Sequence, residues 1–222
     1  PNYGRSRQIN LNIFYTSSSN YGTAFFIMKP TPKRLKKLIE VLNKRQQNLT
    51  IVLENINDPH NLSACLRSCD AVGVSDVYIV YHGTQPVRKL GRNAAASATK
   101  WLKIHRYYDV KECFDELRKK EMLIYTTALG EKSKSLYDLD LTKGVALCFG
   151  NEHHGVSDIA LELADGNFNI PQVGMIQSLN ISVACAVSLY EAYRQRMEVG
   201  EYENTKLSRS ELEKQLQIWK GK

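Results

Sequence analysis

The sequence predicts an α/β protein in which a parallel sheet is flanked by helices. Four short runs, residues 50–53, 77–81, 123–127 and 145–149, are apolar and rich in β-branched residues, and each gives way to polar or glycine-containing stretches. Strands covered on both faces read this way. Between the runs, apolar residues recur at helical spacing, so strands and helices alternate along the chain. With 222 residues, 43% of them hydrophobic and 24% charged, the chain can bury a core as one domain with appendages. Its longest apolar runs, such as 145–149 and 184–189, fall well short of the ~18 residues of a membrane span, so no membrane partner is expected.

Residues 1–28 are polar, with a serine-rich tract at 16–20, and contain no apolar segment ending in a small-residue cleavage site. They are expected to be an extension outside the core, without a secretory signal. Residues 29–48 should form a basic helix, in which Leu35, Leu38, Ile39 and Leu42 share one face between residues 32 and 47 and Pro32 stands near the start. From 29 to 47 there are seven basic residues and one acid, a surplus of six in a chain whose net charge is +7. Such a block favours a polyanion by counterion release.

After the first strand, residues 61–72 should form a helix that Asn61 caps or opens and Gly73 ends. Ser63, Arg67 and Asp70 then make a polar stripe, with Leu62, Leu66 and Cys69 facing inward. A second strand leads to the loop 82–100, and an amphipathic helix at 110–120 precedes the third. The fourth strand runs into Gly150, turns, and opens a helix after Ser157. Pro171 and Gly174 force an irregular loop before the long helix 178–196, for which Ser178 is the expected cap, with Asn180 in the first turn. Leu207, Leu212, Leu216 and Trp219 predict a helical tail that supports the basic helix.

The five cysteines are odd in number and read as buried free thiols of a reducing cytoplasm. No metal site is expected, because Cys65 with Cys69 and His153 with His154 are poorly spaced for zinc. The Gly150 turn lacks the lysine and spacing of a phosphate-binding loop, and no dinucleotide glycine pattern follows Leu53, which argues against an oxidoreductase. In open α/β sheets ligands gather beyond the carboxyl ends of the strands. Three polar segments stand there or open the helices beside them: 54–73, 145–157 and 169–184.

In order and spacing, Asn61-Leu-Ser-Ala-x-x-Arg67-x-x-Asp70-Ala-x-Gly73, Gly150-Asn-Glu152-x-x-Gly155-Val-Ser157 and Ile170-Pro-x-x-Gly174-Met-x-Gln177-Ser178-Leu-Asn180-x-Ser182-Val-Ala resemble the three motifs of the SPOUT superfamily of RNA methyltransferases. The likeness is closest to its TrmH-type tRNA guanosine 2′-O-methyltransferases and runs from about Lys33 to Trp219. The resemblance implies a methyltransferase domain at 49–197 with a deep trefoil knot in its C-terminal part, a helical tail at 198–222, and a homodimer whose active site uses both subunits. It also implies S-adenosylmethionine as cofactor, bound by Thr127, Ala128, Leu129, Gly150, Asn151, Glu152, Ile170, Pro171, Met175, Gln177, Ser178 and Leu179.

The implied reaction is 2′-O-methylation of RNA, most closely guanosine 18 in the D-loop of tRNA. Ribosomal RNA as substrate, or a catalytically silent RNA-binding dimer, remain as alternatives. Arg67, Asn61, Ser178, Asn180 and Glu152 are the implied catalytic residues. Arginine is a poor general base at neutral pH, so Arg67 is expected to hold the RNA phosphate beside the target ribose and orient its hydroxyl, with Asn61 and Asp70 orienting Arg67 in turn. The RNA grip is expected from Lys33, Arg34, Lys37, Arg45, Arg88, Arg92, Arg194 and Arg196.

Overall fold

The structure, a computed structural model, describes residues 30–82, 98–129 and 133–222. Seven strands form one sheet: β1 (Leu49–Glu54), β2 (Asp76–Val80), β3 (Lys103–Tyr107), β4 (Leu123–Thr127), β5 (Lys134–Ser135), β6 (Val145–Phe149) and β7 (Gly166–Asn169). Every pairing is parallel, in the order β3-β2-β1-β6-β4-β7-β5. The helices are α1 (Pro32–Asn43), α2 (Pro59–Ala71), α3 (Val110–Lys119), α4 (Asp158–Leu163), α5 (Ile181–Glu198) and α6 (Arg209–Lys220).

The four apolar runs are the strands β1, β2, β4 and β6, and β1 and β6 are buried at every position. Alternate residues of β1 feed two helical layers. Ile51 and Leu53 meet α2 and α5 through Leu66, Cys69, Cys185 and Leu189, whereas Val52 joins Phe114 and Leu117 of α3 and Ala160 of α4. A third cluster, Leu38 and Leu42 with Leu216 and Trp219, clamps α1 to α6, so the tail helix does support the basic one. Among the described residues no helix is long and apolar enough to cross a membrane.

Several local expectations change. The strands β3, β5 and β7 carry too little apolar alternation to be read from sequence. Asp58 rather than Asn61 caps α2, accepting from the His60 amide at 2.8 Å. Asn180 rather than Ser178 caps α5, accepting from the Ser182 amide at 2.9 Å. Ser63, expected on the polar stripe, is buried.

Two expected RNA contacts are withdrawn. The first helix stops at Asn43, and Arg45 turns inward, 2% exposed. Its guanidinium donates to the Val74 carbonyl at 2.6 Å, pairs with Asp70 and lies over the Trp219 ring. Burial pulls its pKa below the ordinary arginine range, against the opposing pull of Asp70. Asp70 is thereby committed to Arg45 and does not orient Arg67. Arg196 is fully buried and bonded to backbone and amide oxygens, so phosphates cannot reach it. Arg194 is exposed but neutralised, by Glu191 at 2.8 Å and Glu198 at 2.6 Å. The expected contacts Arg88 and Arg92 lie outside the described residues, as does the extension 1–28.

Candidate active site

A cavity of about 560 Å³ opens beyond the carboxyl ends of β4, β6 and β7. Three segments meet in it: Thr127, Ala128 and Leu129 after β4, Gly150 to Glu152 after β6, and Ile170 with Gln177 to Asn180 between β7 and α5. Ten of the twelve residues expected around a cofactor thus line one space. Pro171 and Met175 do not, and Met175 is fully exposed. In the irregular loop between β7 and α5, Gln172 and Gln177 to Asn180 line the cavity, while Pro171 and the stretch from Val173 to Ile176 are exposed outside it.

The loop after β6 is held from several sides. Asn151 and Gly155 exchange two backbone hydrogen bonds at 2.9 and 2.8 Å, which folds the loop back on itself. The Asn151 carboxamide donates to the Asn55 carbonyl at 2.9 Å, and its oxygen accepts from the His153 amide at 2.8 Å. This closure demands glycine at 150, where a Cβ would lie 2.0 Å from the Gly155 carbonyl carbon. Gly150→Ala is therefore expected to destabilise the fold by about 1 to 3 kcal/mol, seen as a fall of roughly 3 to 10 °C in thermal unfolding. An unchanged transition would show that the loop can open without cost.

Of the residues expected to act on the substrate, Glu152, Ser178 and Asn180 line the cavity. Asn61 stands at its rim, where its carboxamide donates to Glu152 Oε1 at 2.7 Å and joins α2 to the loop. The Asn180 oxygen is occupied by the Ser182 amide and hydroxyl, while its nitrogen has no partner among the described residues. Arg67 is absent from the lining. It is exposed on α2, and its guanidinium has no hydrogen bond or ion pair among the described residues. A single chain therefore assembles the cavity but does not bring Arg67 to it.

Sequence reasoning missed Phe149, Phe168, Asn169, Gln172 and Ile181, which also line the cavity, as does the exposed His154. Phe168 and Asn169 belong to β7, whose Gly-Asn-Phe-Asn sequence gives no strand signal. Among the described residues, no group of three or more His, Cys, Asp or Glu side chains is arranged to hold a metal ion.

Fold and cavity together define a parallel α/β protein with a cavity at the strand ends, where the second and third motif segments meet the loop after β4 and Asn61 of the first bonds to Glu152. The chain belongs to the SpoU methylase family: the SpoU rRNA Methylase family matches residues 48–190. Among its relatives is the tRNA (guanosine(18)-2′-O)-methyltransferase of Thermus thermophilus, 43% identical over 189 residues, which are 85% of this chain and 96% of that protein. The Escherichia coli protein of the same name is 37% identical over 187 residues, 83% of this chain and 81% of that one. Among solved structures, the Aquifex aeolicus TrmH/SpoU tRNA modifying enzyme superposes with a TM-score of 0.79 at 39% identity, covering 85% of this chain and 95% of that one.

Proposed function

We propose that this protein transfers the methyl group of S-adenosylmethionine to the ribose 2′-oxygen of guanosine 18 in tRNA. The observation that carries the reading is the meeting of the second and third motif loops with the loop after β4 in one cavity, to which Asn61 of the first motif is joined through Glu152, in a chain similar along most of its length to enzymes named for that reaction. The cavity suits the cofactor in size, since small-molecule sites span about 300 to 1,000 Å³. Leu129, Phe149, Ile170 and Leu179 offer apolar walls for a flat ring, and the unpartnered Asn180 nitrogen and the Glu152 carboxylate offer polar contacts.

Bound there, the cofactor supplies an electrophilic methyl group on a positively charged sulfur. The chain's own part is alignment and exclusion of water, which can account for several kcal/mol of the barrier. Asn61 and Glu152 fix the rim, Asn180 and Ser178 hold the loop that faces the ribose, and Arg67 grips the RNA phosphate beside the hydroxyl that reacts. Lys33, Arg34 and Lys37 on the exposed face of α1 line a groove with Lys100, Trp101 and Lys222, and this groove supplies the polyanion contact.

The active unit is a homodimer. Val183, Tyr190 and Met197 are exposed at seven-residue spacing along α5, and Met175 and Ile176 in the loop before it are exposed too. A second copy seated on this stripe covers it and brings Arg67 of one chain toward the cavity of the other. The outcropping loop after β7 belongs to a trefoil knot, and the enzyme works in the cytoplasm.

The test is incubation of the full chain with labelled S-adenosylmethionine and separate tRNA and ribosomal RNA pools, followed by mapping of alkali-resistant linkages. Label at guanosine 18 of tRNA is expected. Label confined to ribosomal RNA would overturn the substrate, and no label in either pool would overturn the activity.

A further inference from the structure

We propose that Glu54, the last residue of β1, is a positioning residue for methyl transfer, setting the loop that carries Asn151 and Glu152. The proposal rests on the placement of the cofactor in the cavity argued above.

Glu54 is a carboxylate only 1% exposed, and neither of its oxygens lacks a partner. Its Oε2 accepts from the Ser157 backbone amide at 2.8 Å, and Oε1 accepts from the Ser157 hydroxyl at 2.7 Å. Oε1 also meets His82 Nε2 at 2.5 Å. Ser157 is the residue at which the loop after β6 ends and α4 begins, and its hydroxyl in turn accepts from the Ala160 amide. One carboxylate thus holds the far end of the cavity loop on the end of the neighbouring strand.

The next residue extends the junction. Asn55 takes the left-handed conformation, with φ of 55°, which non-glycine residues seldom adopt without a local reason. The turn lets its carbonyl accept from the Asn151 side chain and its own side chain accept from the His82 amide at 3.0 Å. Glu54 therefore anchors the loop at 157 while Asn55 anchors it at 151, and between the two anchors Glu152, His154, Gly155 and Val156 line the cavity. A buried carboxylate is costly unless its hydrogen bonds are complete, so its retention beneath this loop has a physical function: it confines the loop to one geometry.

Glu54 touches no cavity space and acts only through Ser157 and the loop. Its loss should weaken the fit of the cofactor more than the chemical step once the cofactor is bound. In steady-state transfer to tRNA by the full chain, Glu54→Ala is expected to raise the donor KM about tenfold, with kcat changed less than about threefold. Calorimetry with S-adenosylhomocysteine should show a similar rise in Kd. Glu54→Gln, which keeps an acceptor for the Ser157 amide, should recover most of that affinity, and Ser157→Ala should shift KM in the same direction by about threefold. Because Glu54→Ala disturbs a buried network, thermal unfolding is followed for all three variants, and Glu54→Gln and Ser157→Ala decide the matter if the alanine variant does not fold.

A folded variant series with donor KM and product Kd all within twofold of the wild type overturns the role of Glu54 alone. So does a fall in kcat with donor KM unchanged. If the wild-type chain itself takes up no S-adenosylhomocysteine, the placement of the cofactor fails and this proposal with it.

Discussion

Arg67→Ala should lower methyl transfer to tRNA by about a hundredfold to a thousandfold, the usual loss when one preorganised donor is removed from a developing oxyanion. Affinity for S-adenosylhomocysteine should stay within about twofold. The expectation follows from where the side chain sits. Arg67 projects from α2 into solvent, forms no ion pair or hydrogen bond among the described residues and contributes nothing to the cavity wall. Removing it should change stability by no more than ~0.5 kcal/mol, as for other unpaired surface residues. A severe loss of turnover in a variant that folds and binds cofactor normally would then have no structural explanation, leaving a direct role at the ribose. Arg67→Lys should recover little, because a point charge cannot reproduce the planar fork. Near-normal turnover by Arg67→Ala in a single-turnover assay would remove this residue from the mechanism.

The largest stability effect should come from Arg196→Met. Arg196 is fully buried near the end of α5. Its Nε donates to the Leu141 carbonyl at 2.9 Å, and Nη1 donates to the Gln46 and Asn48 side-chain oxygens at 2.9 and 2.7 Å. Nη2 donates to the carbonyls of Asn48 and Lys143. One guanidinium therefore satisfies oxygens from the segments that lead into β1 and β6 and fastens them to α5. Among the described residues, no carboxylate lies within 4 Å of it to form an ion pair, and burial pulls its pKa below the ordinary arginine range. Methionine fills similar volume but leaves these acceptors unpaired in a dry interior, which should cost about 3 to 5 kcal/mol. Urea unfolding with an unchanged slope and a lower midpoint is the expected record. A loss below about 1 kcal/mol would mean that water replaces the guanidinium without cost.

Much of the architecture was legible because the central strands β1 and β6 are mostly apolar. In β1 and β6 every side chain is buried, so hydrophobicity alone marks them. The outlying strands gave no such signal: β3 is Lys-Ile-His-Arg-Tyr at an edge, and β7 is paired on one side only with the two-residue β5 over part of its length. The cavity loops were legible through their motifs, but Phe168 and Asn169 were lost with the strand that carries them.

The two misjudged arginines have a common cause. Arg45 follows Leu38 and Leu42 at spacings of four and three, and Arg196 follows Cys185, Leu189 and Ala192 at four, three and four. Each continues a buried stripe, a periodicity that weighed less in the reading than the positive charge. Arg67 shows the opposite limit. Its motif marks it, but within one chain the fold leaves it outside the cavity lining.

The five cysteines carry a practical consequence. All are buried and unpaired, and burial is among the causes that raise the pKa of Cys65, Cys113, Cys148 and Cys185, that of Cys113 to about 12. Alkylation needs an open path to the thiol, and burial in the folded chain closes that path to all five. A single cysteine introduced on the surface can accordingly carry a fluorophore without removal of the native five, and the slow labelling of those five reports how often the interior opens.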